Sequence, residues 1–290
     1  MEREVSLSGG TAVAAACRAL GHDVTVADVS PDDLTALDIP TDVVFPVLHG
    51  KFGEDGVLQE ILEARNWPYV GSGPAASRRA MDKVAAKIAW NLASLPTPPW
   101  VAFDAHPGTD LRLPFSPPAV VKPIYQGSSI GIVFADAPAI LRDAVVEGVR
   151  EWGAVLVEPQ LAGRELTVGI LGRDALPVIE VRTPRTFYDY EAKYRDGGTS
   201  YHFQSGLPND ETRCIQGLAL AAFEVLGCRD MGRVDLIIDD QRGPQILEVN
   251  TIPGFTDHSL LPKAAAHAGL DLPALVASLL EMALSREARP

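Results

Sequence analysis

Residues 232–250, GRVDLIIDDQRGPQILEVN, alternate apolar and polar side chains on both sides of a turn and so predict a β-hairpin. With residues 240–243 as a four-residue turn, Asp235 would face Glu248 and Arg233 would face Asn250. All four side chains would then share one face of the hairpin. The opposite face would belong to the core and carry Val234, Leu236, Ile238, Leu247 and Val249.

The two opposed carboxylates of this hairpin indicate a bound cation. Like charges placed directly opposite on a sheet repel each other, and a metal ion between them removes the conflict. Asp235, Glu248 and Asn250 offer only oxygen ligands, which suit Mg²⁺. The alternative is a solvated strand face on which the acids have no ligand.

A second candidate site is the loop Gly127-Ser128-Ser129-Ile130-Gly131, which follows Lys122. Glycine-rich loops can turn backbone N–H groups toward phosphate. The order of residues is neither a Walker loop nor a GxGxxG turn, and a hairpin loop without a ligand is the alternative. Lys83, Lys122 and Lys193 could add positive charge around a polyphosphate.

The composition excludes several classes of protein. A chain of 290 residues with 47% hydrophobic residues and a net charge of −13 is expected to form more than one globular domain. The negative charge argues against nucleic acid and anionic membranes as partners. The sequence has no long apolar run and no signal-like start, so we expect a cytoplasmic protein. Its three cysteines lack the spacing of a zinc site or a disulfide framework.

The pattern along the chain predicts an α/β part followed by α+β parts. A helix near residues 10–20, strands at 23–29 and 43–48 and a helix at 56–64 favour a parallel sheet, with His49 at the carboxyl end of a strand. Further on, we expect a helix carrying Met81, Lys83 and Lys87, strands on both sides of the glycine-rich loop, a helix at 137–152, three more strands, a helix at 211–226 and two final helices. The expected domains are 1–72, 73–161 and 162–290.

The motifs, taken in order, resemble the D-alanine–D-alanine ligase family of the ATP-grasp superfamily over nearly the whole chain. The matching runs are EREVSLSGG, FPVLHGKFGEDGVLQ, PYVGSG, AMDK, VVKP with GSSIGI, GRELTVGILG, FYDYEAKY, GRVDLIID and LEVNTIPGFTDHSLLP. The resemblance implies a three-domain ATP-grasp architecture. Because the family begins with an apolar strand before the segment equivalent to EREVSLSGG, we expect the N-terminal parallel-sheet domain to lack its first strand.

The resemblance also implies a reaction and its site residues. ATP would phosphorylate one D-alanine, and the amine of a second D-alanine would attack the acylphosphate, as a step toward peptidoglycan precursors. The implied metal ligands are Asp235, Glu248 and Asn250, holding two Mg²⁺ ions, with Mn²⁺ as an alternative. The implied ATP-binding residues are Lys83, Lys122, Ser129, Glu158, Leu161, Glu165 and Lys193. The implied catalytic residues are Glu2, Ser128, Tyr194, Arg233 and Gly254, and the implied substrate-binding residues are His49, Ser259 and Leu260.

The same resemblance implies a homodimer, and it makes FYDYEAKY at residues 187–194 a lid that excludes water from the acylphosphate. A surface loop without function is the alternative for that segment, and a strand-end histidine without a ligand is the alternative for His49. The missing strand and altered residues near the nucleotide leave two other functions open: a ligase for another D-amino acid or a D-hydroxy acid, and an ATP-binding relative with impaired catalysis.

Overall fold

The computed structural model describes residues 2–108, 111–183, 199–203, 206–256 and 258–286, with Glu2 described in its backbone only. The N-terminal segment begins with helix α1 (Glu2–Ala19), which is longer than the helix expected near residues 10–20. It continues with a 3-10 helix (Thr35–Asp38) and helix α2 (Val57–Ala64). The amphipathic helix expected at 56–64 is therefore confirmed.

The strands expected at 23–29 and 43–48 are wrong. In the described part of residues 2–72 the only β pairings are two isolated bridges, Ser30 with Asp33 and Val44 with Tyr69, the latter parallel. The apolar residues that suggested these strands are nevertheless packed inward: Val24, Val43, Phe45 and Val47 contact a buried core. A strand also needs a ladder with its neighbour, and this segment pairs with its neighbour at a single bridge. The absence of a first strand remains a prediction.

A break at Asp82 divides the next helix. We expected one helix carrying Met81, Lys83 and Lys87, but the structure has α3 (Pro74–Met81) and α4 (Lys83–Leu92). Asp82 lies in an extended conformation and caps α4, accepting hydrogen bonds of 2.9 Å from the backbone N–H groups of Val84 and Ala85. The cap places Lys83 at the first position of α4.

A small antiparallel sheet follows, and it contains the two strands expected on either side of the glycine-rich loop. Its strands run in the order β1-β4-β2-β3, and helix α5 (Pro138–Trp152) packs on it. The side chains between sheet and helix are small and apolar, with Ala119, Val121, Val145, Val155 and Val157 all at most 1% exposed. The strand bounds are β1 Val101–Phe103, β2 Ala119–Pro123, β3 Val133–Ala135 and β4 Val155–Pro159.

A larger antiparallel sheet lies in the C-terminal half of the chain. Its order is β10-β9-β5-β7-β8, with β6 paired to β5. The strand bounds are β5 Gly163–Leu171, β6 Asp174–Ala175, β7 Ile179–Arg182, β8 Ser200–His202, β9 Met231–Asp239 and β10 Gly243–Asn250. Helix α6 (Asn209–Val225) packs on this sheet, and α4 joins the same core through Trp90, whose indole N–H donates to the Ala222 carbonyl over 3.0 Å.

The final helices are α7 (Leu260–His267) and α8 (Leu272–Ser285), and both bury apolar side chains with α1 and the larger sheet. Within the described residues no single helix has the length and hydropathy of a membrane span; α7 and α8 meet that test only as a pair bent by 102°. The domain boundaries at 72/73 and 161/162 remain predictions.

Candidate active site

The hairpin brings together the four residues that its sequence pattern predicts. Asp235 pairs with Glu248 and Arg233 pairs with Asn250, which confirms the register at the site. The turn itself is different from the expectation, because Asp239 pairs with Gly243 and leaves residues 240–242 as the turn. A bulge between Ile246 and Glu248 shifts the register back by one residue.

The bulge also changes which side chains face the core. Ile246, which is fully buried, takes the core position that we expected for Leu247. Leu247 instead lines a pocket together with Asp235 and Glu248. The placement of Leu247 in the core is therefore wrong, because one extra residue in a strand moves its side chain to the other face.

Asp235 and Glu248 have different surroundings. The guanidinium of Arg233 donates two hydrogen bonds to the Asp235 carboxylate, at 2.9 Å from Nε and 2.8 Å from Nη2, and the Thr167 hydroxyl donates a third at 2.6 Å. The carboxylate of Glu248 makes no hydrogen bond or ion pair with any described residue. Arg233 therefore supplies positive charge to one of the two opposed acids, and Glu248 offers a carboxylate to a ligand.

The oxygen atoms of this hairpin fit a hard divalent cation. The donors are two carboxylates and the amide oxygen of Asn250, which already accepts a 3.0 Å hydrogen bond from the Ile252 backbone. No group of three or more His, Cys, Asp and Glu side chains within the described ranges is arranged for a metal. A cation bound to these three side chains would therefore need further ligands that the described residues do not supply here. Mg²⁺ sites commonly obtain them from substrate phosphates and water.

The glycine-rich loop between β2 and β3 forms the opposite wall. Ser128 and Ser129 both have positive φ, at 53° and 60°, so the loop turns back on itself at the two hydroxyl residues. The Lys83 ammonium donates to the Gln126 carbonyl over 2.5 Å, which ties the loop to the start of α4. Because Lys83 and Ser129 line the same pocket as Asp235 and Glu248, the loop and the hairpin face one another across it.

Behind this wall lies a buried cluster of two lysines and one glutamate. The side chain of Glu158 is 2% exposed, and it contacts the ammonium of Lys87 through Oε1 and that of Lys122 through Oε2, the latter at 2.5 Å. Burial opposes ionisation of Glu158, but the two ammonium groups more than offset this and lower its pKa to about 2. Burial also lowers the pKa of Lys87.

The sequence analysis placed Lys87 on a helix but did not identify it as a residue of the site. Its spacing of four residues from Lys83 places both ammonium groups on one face of α4, and that spacing was the available signal. Glu54 was missed as well: it lies opposite His49, with 3.8 Å between His49 Nδ1 and Glu54 Oε1. The Gly50 N–H donates to the same carboxylate over 2.6 Å.

The nucleotide and metal residues expected from sequence lie together in this pocket, with two exceptions among those described, Leu161 and Asn250. The pocket is lined by Lys83, Lys122, Ser129, Glu158, Glu165, Asp235 and Glu248, together with Lys87 and Leu247. Leu161 is half-buried between β4 and β5 and is absent from this lining. Lys193 lies outside the described residues.

An adjoining pocket holds His49, which was expected to bind substrate, and Ser128 and Arg233, which were expected to be catalytic. It shares Lys83, Gln126 and Glu248 with the first pocket, and its other lining residues include His49, Glu54, Ser128, Arg233 and Asn250. The two pockets therefore meet along Glu248. The expected trio of Glu2, Ser128 and Tyr194 is not tested, because Tyr194 and the Glu2 side chain lie outside what the structure describes.

The start of α7 has the expected form. Ser259 is the N-cap residue and Leu260 the first helical residue. The Ser259 hydroxyl accepts a 3.0 Å hydrogen bond from the Thr256 N–H. Gly254 packs so closely here that a Cβ would lie 2.5 Å from Ser259 Oγ, so a side chain at Gly254 would displace the cap. None of Gly254, Ser259 and Leu260 lines either of the two pockets.

Comparisons with known proteins agree with this geometry. Residues 90–281 match the family model described as D-ala D-ala ligase C-terminus, and residues 25–72 match the D-ala D-ala ligase N-terminus. The D-alanine–D-alanine ligase of Alcanivorax borkumensis is 46% identical over 288 residues, covering 98% of this chain and 91% of that protein. The enzyme of the same name from Methylacidiphilum infernorum is 41% identical, covering 98% and 92%.

Solved structures give the same result. The crystal structure of D-alanine–D-alanine ligase from Bacillus anthracis has a TM-score of 0.86 and 33% identity to this chain. The match covers 99% of this chain and 95% of the Bacillus anthracis chain. A structure of that ligase complexed with ATP also has a TM-score of 0.86, with 32% identity and coverage of 99% and 94%. The fold, the facing walls of the pocket and these matches lead to one conclusion: this chain belongs to the D-alanine–D-alanine ligase family.

Proposed function

We propose that this chain is an ADP-forming ligase that joins two D-alanines at the expense of ATP, for the synthesis of peptidoglycan precursors. The observation that carries the proposal is the pocket in which the Asp235 and Glu248 pair faces Lys83 and Lys122. In a chain of this family, opposed acids and lysines of that kind suit a metal-bound triphosphate. The alternatives with another acceptor or with impaired catalysis have no observation in their favour.

ATP would lie between the two sheets. Lys83, Lys122 and the backbone at Ser129 would contact the phosphates, Glu165 would accept from the ribose, and Glu158 and Leu161 would border the adenine. Lys193 would add a further phosphate contact. Asp235, Glu248 and Asn250 would hold two Mg²⁺ ions, or Mn²⁺ in their place. When bound, such ions neutralise charge on the phosphates.

The first D-alanine would bind in the adjoining pocket, close to Glu248. Its carboxylate oxygen attacks the γ-phosphorus, and the bond from that phosphorus to ADP breaks. The amine of the second D-alanine, after losing a proton, attacks the acyl carbon, and phosphate leaves with the electrons of the C–O bond. Arg233 and the Gly254 N–H would stabilise the oxyanion of the intermediate.

The remaining substrate contacts are proposed on the family match. His49 would lie beside the first D-alanine, with Glu54 holding its ring. Glu2, Ser128 and Tyr194 would anchor this substrate and the closing lid. The carboxylate of the second D-alanine would dock at Ser259 and Leu260, at the N-terminus of α7, where the first backbone N–H groups have no partner within the helix. A homodimer located in the cytoplasm completes the proposal.

The test is an assay of ADP and phosphate release by the purified chain with Mg-ATP and D-alanine, with the product identified by mass spectrometry. We expect release that depends on D-alanine and yields the dipeptide, little release with L-alanine, and no ester product when D-lactate is added as a second acceptor. ATP hydrolysis at the same rate with and without D-alanine would refute the proposal.

A further inference from the structure

Lys87 is the most deeply buried charged side chain of the site. It is 1% exposed, and its ammonium contacts Glu158 Oε1 and donates to the Thr97 hydroxyl over 2.6 Å. The Thr97 hydroxyl in turn donates to the carbonyl of Ile246 over 2.9 Å. A buried ammonium is costly unless it is paired and hydrogen-bonded, and Lys87 meets both conditions.

The contacts of Lys87 join the two sheets that enclose the nucleotide pocket. Glu158 lies on β4 of the small sheet, and Ile246 lies on β10 of the large sheet, next to the bulge that presents Leu247 and Glu248. Lys87 on α4 contacts Glu158 directly and is connected to Ile246 through the Thr97 hydroxyl. Its side chain therefore links the wall that carries Lys122 to the strand that carries Glu248.

Glu158 is shared by two lysines with different access to the pocket. The side chain of Lys122 is 15% exposed, whereas that of Lys87 is 1% exposed. Lys122 can therefore reach a ligand, and Lys87 stays behind Glu158. A carboxylate that is paired with two cations attracts each of them less strongly than a carboxylate that is paired with one. The reason is that the two cations repel each other and share a single negative charge.

From this arrangement, and resting on the proposed function, we propose that Lys87 is a positioning residue that acts through Glu158 on Lys122. Lys87 is the permanent counter-ion of Glu158, so that the Lys122 ammonium is available to the phosphates of ATP. Without Lys87, Lys122 is the one cation that pairs with Glu158 among the described residues, and Glu158 withholds it from the phosphates. Lys87 itself touches neither substrate nor nucleotide.

The direct test compares ligands that share adenosine and differ in the number of phosphate groups. Binding of adenosine, ADP and a non-hydrolysable ATP analogue is measured by calorimetry for the wild type and for Lys87→Met. We expect adenosine affinity to stay within about twofold, since the adenosine contacts are kept. ATP-analogue affinity should fall about ten- to a hundredfold, as expected for losing one charge-assisted hydrogen bond.

A second background separates counter-ion action from structural damage. In Glu158→Gln the carboxylate that would retain Lys122 is gone, so adding Lys87→Met should change ATP-analogue affinity by less than about threefold. This comparison also decides the matter if the single Lys87→Met chain does not fold, because the double variant replaces a buried ion pair by neutral groups. The proposal would be overturned if the ATP-analogue affinities of Glu158→Gln and the double variant differed by tenfold or more.

Trp90→Phe is the matched structural control. Trp90 is a fully buried residue of the same helix, and the change removes its hydrogen bond to Ala222 but leaves Glu158 untouched. It should lower stability without altering the ratio of ATP-analogue to adenosine affinity. Equal losses for adenosine and the ATP analogue in Lys87→Met, or no loss for either, would overturn the positioning role while leaving the proposed ligase intact. A wild type that binds no ATP would overturn both.

Discussion

Replacing Glu248 by glutamine separates the catalytic role of this side chain from any role in stability. Glu248 faces Asp235 across the hairpin, and its carboxylate makes no hydrogen bond or ion pair with a described residue. Glu248→Gln keeps the size of the side chain and removes its charge. No contact is lost, and a like-charge pair, which destabilises a sheet by roughly 0.2–1 kcal/mol, is removed.

We therefore expect the free energy of unfolding of Glu248→Gln to stay the same or rise by up to about 1 kcal/mol. Turnover should behave differently, because the same carboxylate is proposed to hold the metal that neutralises the phosphates. The loss of one preorganised charge-stabilising group costs about 10²–10³ in kcat. The variant would thus be as stable as the wild type and nearly inactive.

The assays are urea unfolding followed by circular dichroism, and D-alanine-dependent ADP release. Glu281→Gln is the matched control, since it makes the same chemical change at an exposed position of α8 that lines neither pocket, and it should leave both measurements unchanged. The reasoning would be refuted if Glu248→Gln kept more than about a tenth of wild-type turnover, or if it lowered the free energy of unfolding by more than about 1 kcal/mol.

Two further predictions concern the loop and acid stability. A Cβ at Gly131, where φ is +73°, would lie 2.7 Å from Pro123 Cγ and 2.9 Å from the Trp152 indole nitrogen, so Gly131→Ala should lower the free energy of unfolding by about 2–4 kcal/mol. Gly127→Ala in the same loop has open space and should cost little in the same unfolding assay; equal costs would contradict this account. Hydrogen bonds from Arg164 outweigh burial and lower the pKa of Glu180 from 4.5 to about 2, so its stabilisation is present above pH 4.5 and lost as the pH falls toward 2. Urea midpoints measured across that range should fall less for Glu180→Gln than for the wild type; parallel curves would contradict it.

The sequence predicted the hairpin at the site well because the pairing there depends on two constraints at once. Alternation sets which residues share a face, and the turn sets the register. The turn was predicted one residue too long, and the bulge at Leu247 adds one residue back, so the pairing of Asp235 with Glu248 is unaffected. The register between the turn and the bulge was wrong by one residue, so Ile246 and not Leu247 occupies the core position.

The N-terminal strands could not be predicted in the same way. Alternating apolar residues indicate a face that will be buried, and Phe45 and Val47 are indeed packed against the core. Whether such a segment joins a ladder depends on a partner at the right distance along its whole length, and that is set by tertiary structure. The isolated bridge of Val44 with Tyr69 is what remains of the expected sheet.

Lys87 shows a third limit of sequence reasoning. A lysine is normally expected on the surface, and only the joint placement of Glu158 and Thr97 around its ammonium makes its burial tolerable. Those partners come from β4 and from the segment before β1, so their meeting cannot be read from local patterns. The spacing from Lys83 was the only local signal.

The proposed reaction depends on divalent cations that the hairpin would hold on the phosphates of ATP. The most direct test is anomalous scattering at the manganese edge from crystals grown with Mn²⁺ and a non-hydrolysable ATP analogue. We expect manganese peaks within about 2.0–2.4 Å of carboxylate oxygens of Asp235 and Glu248 and of phosphate oxygens. Nucleotide bound in the pocket with manganese absent from that position, or ligated without either carboxylate, would contradict it.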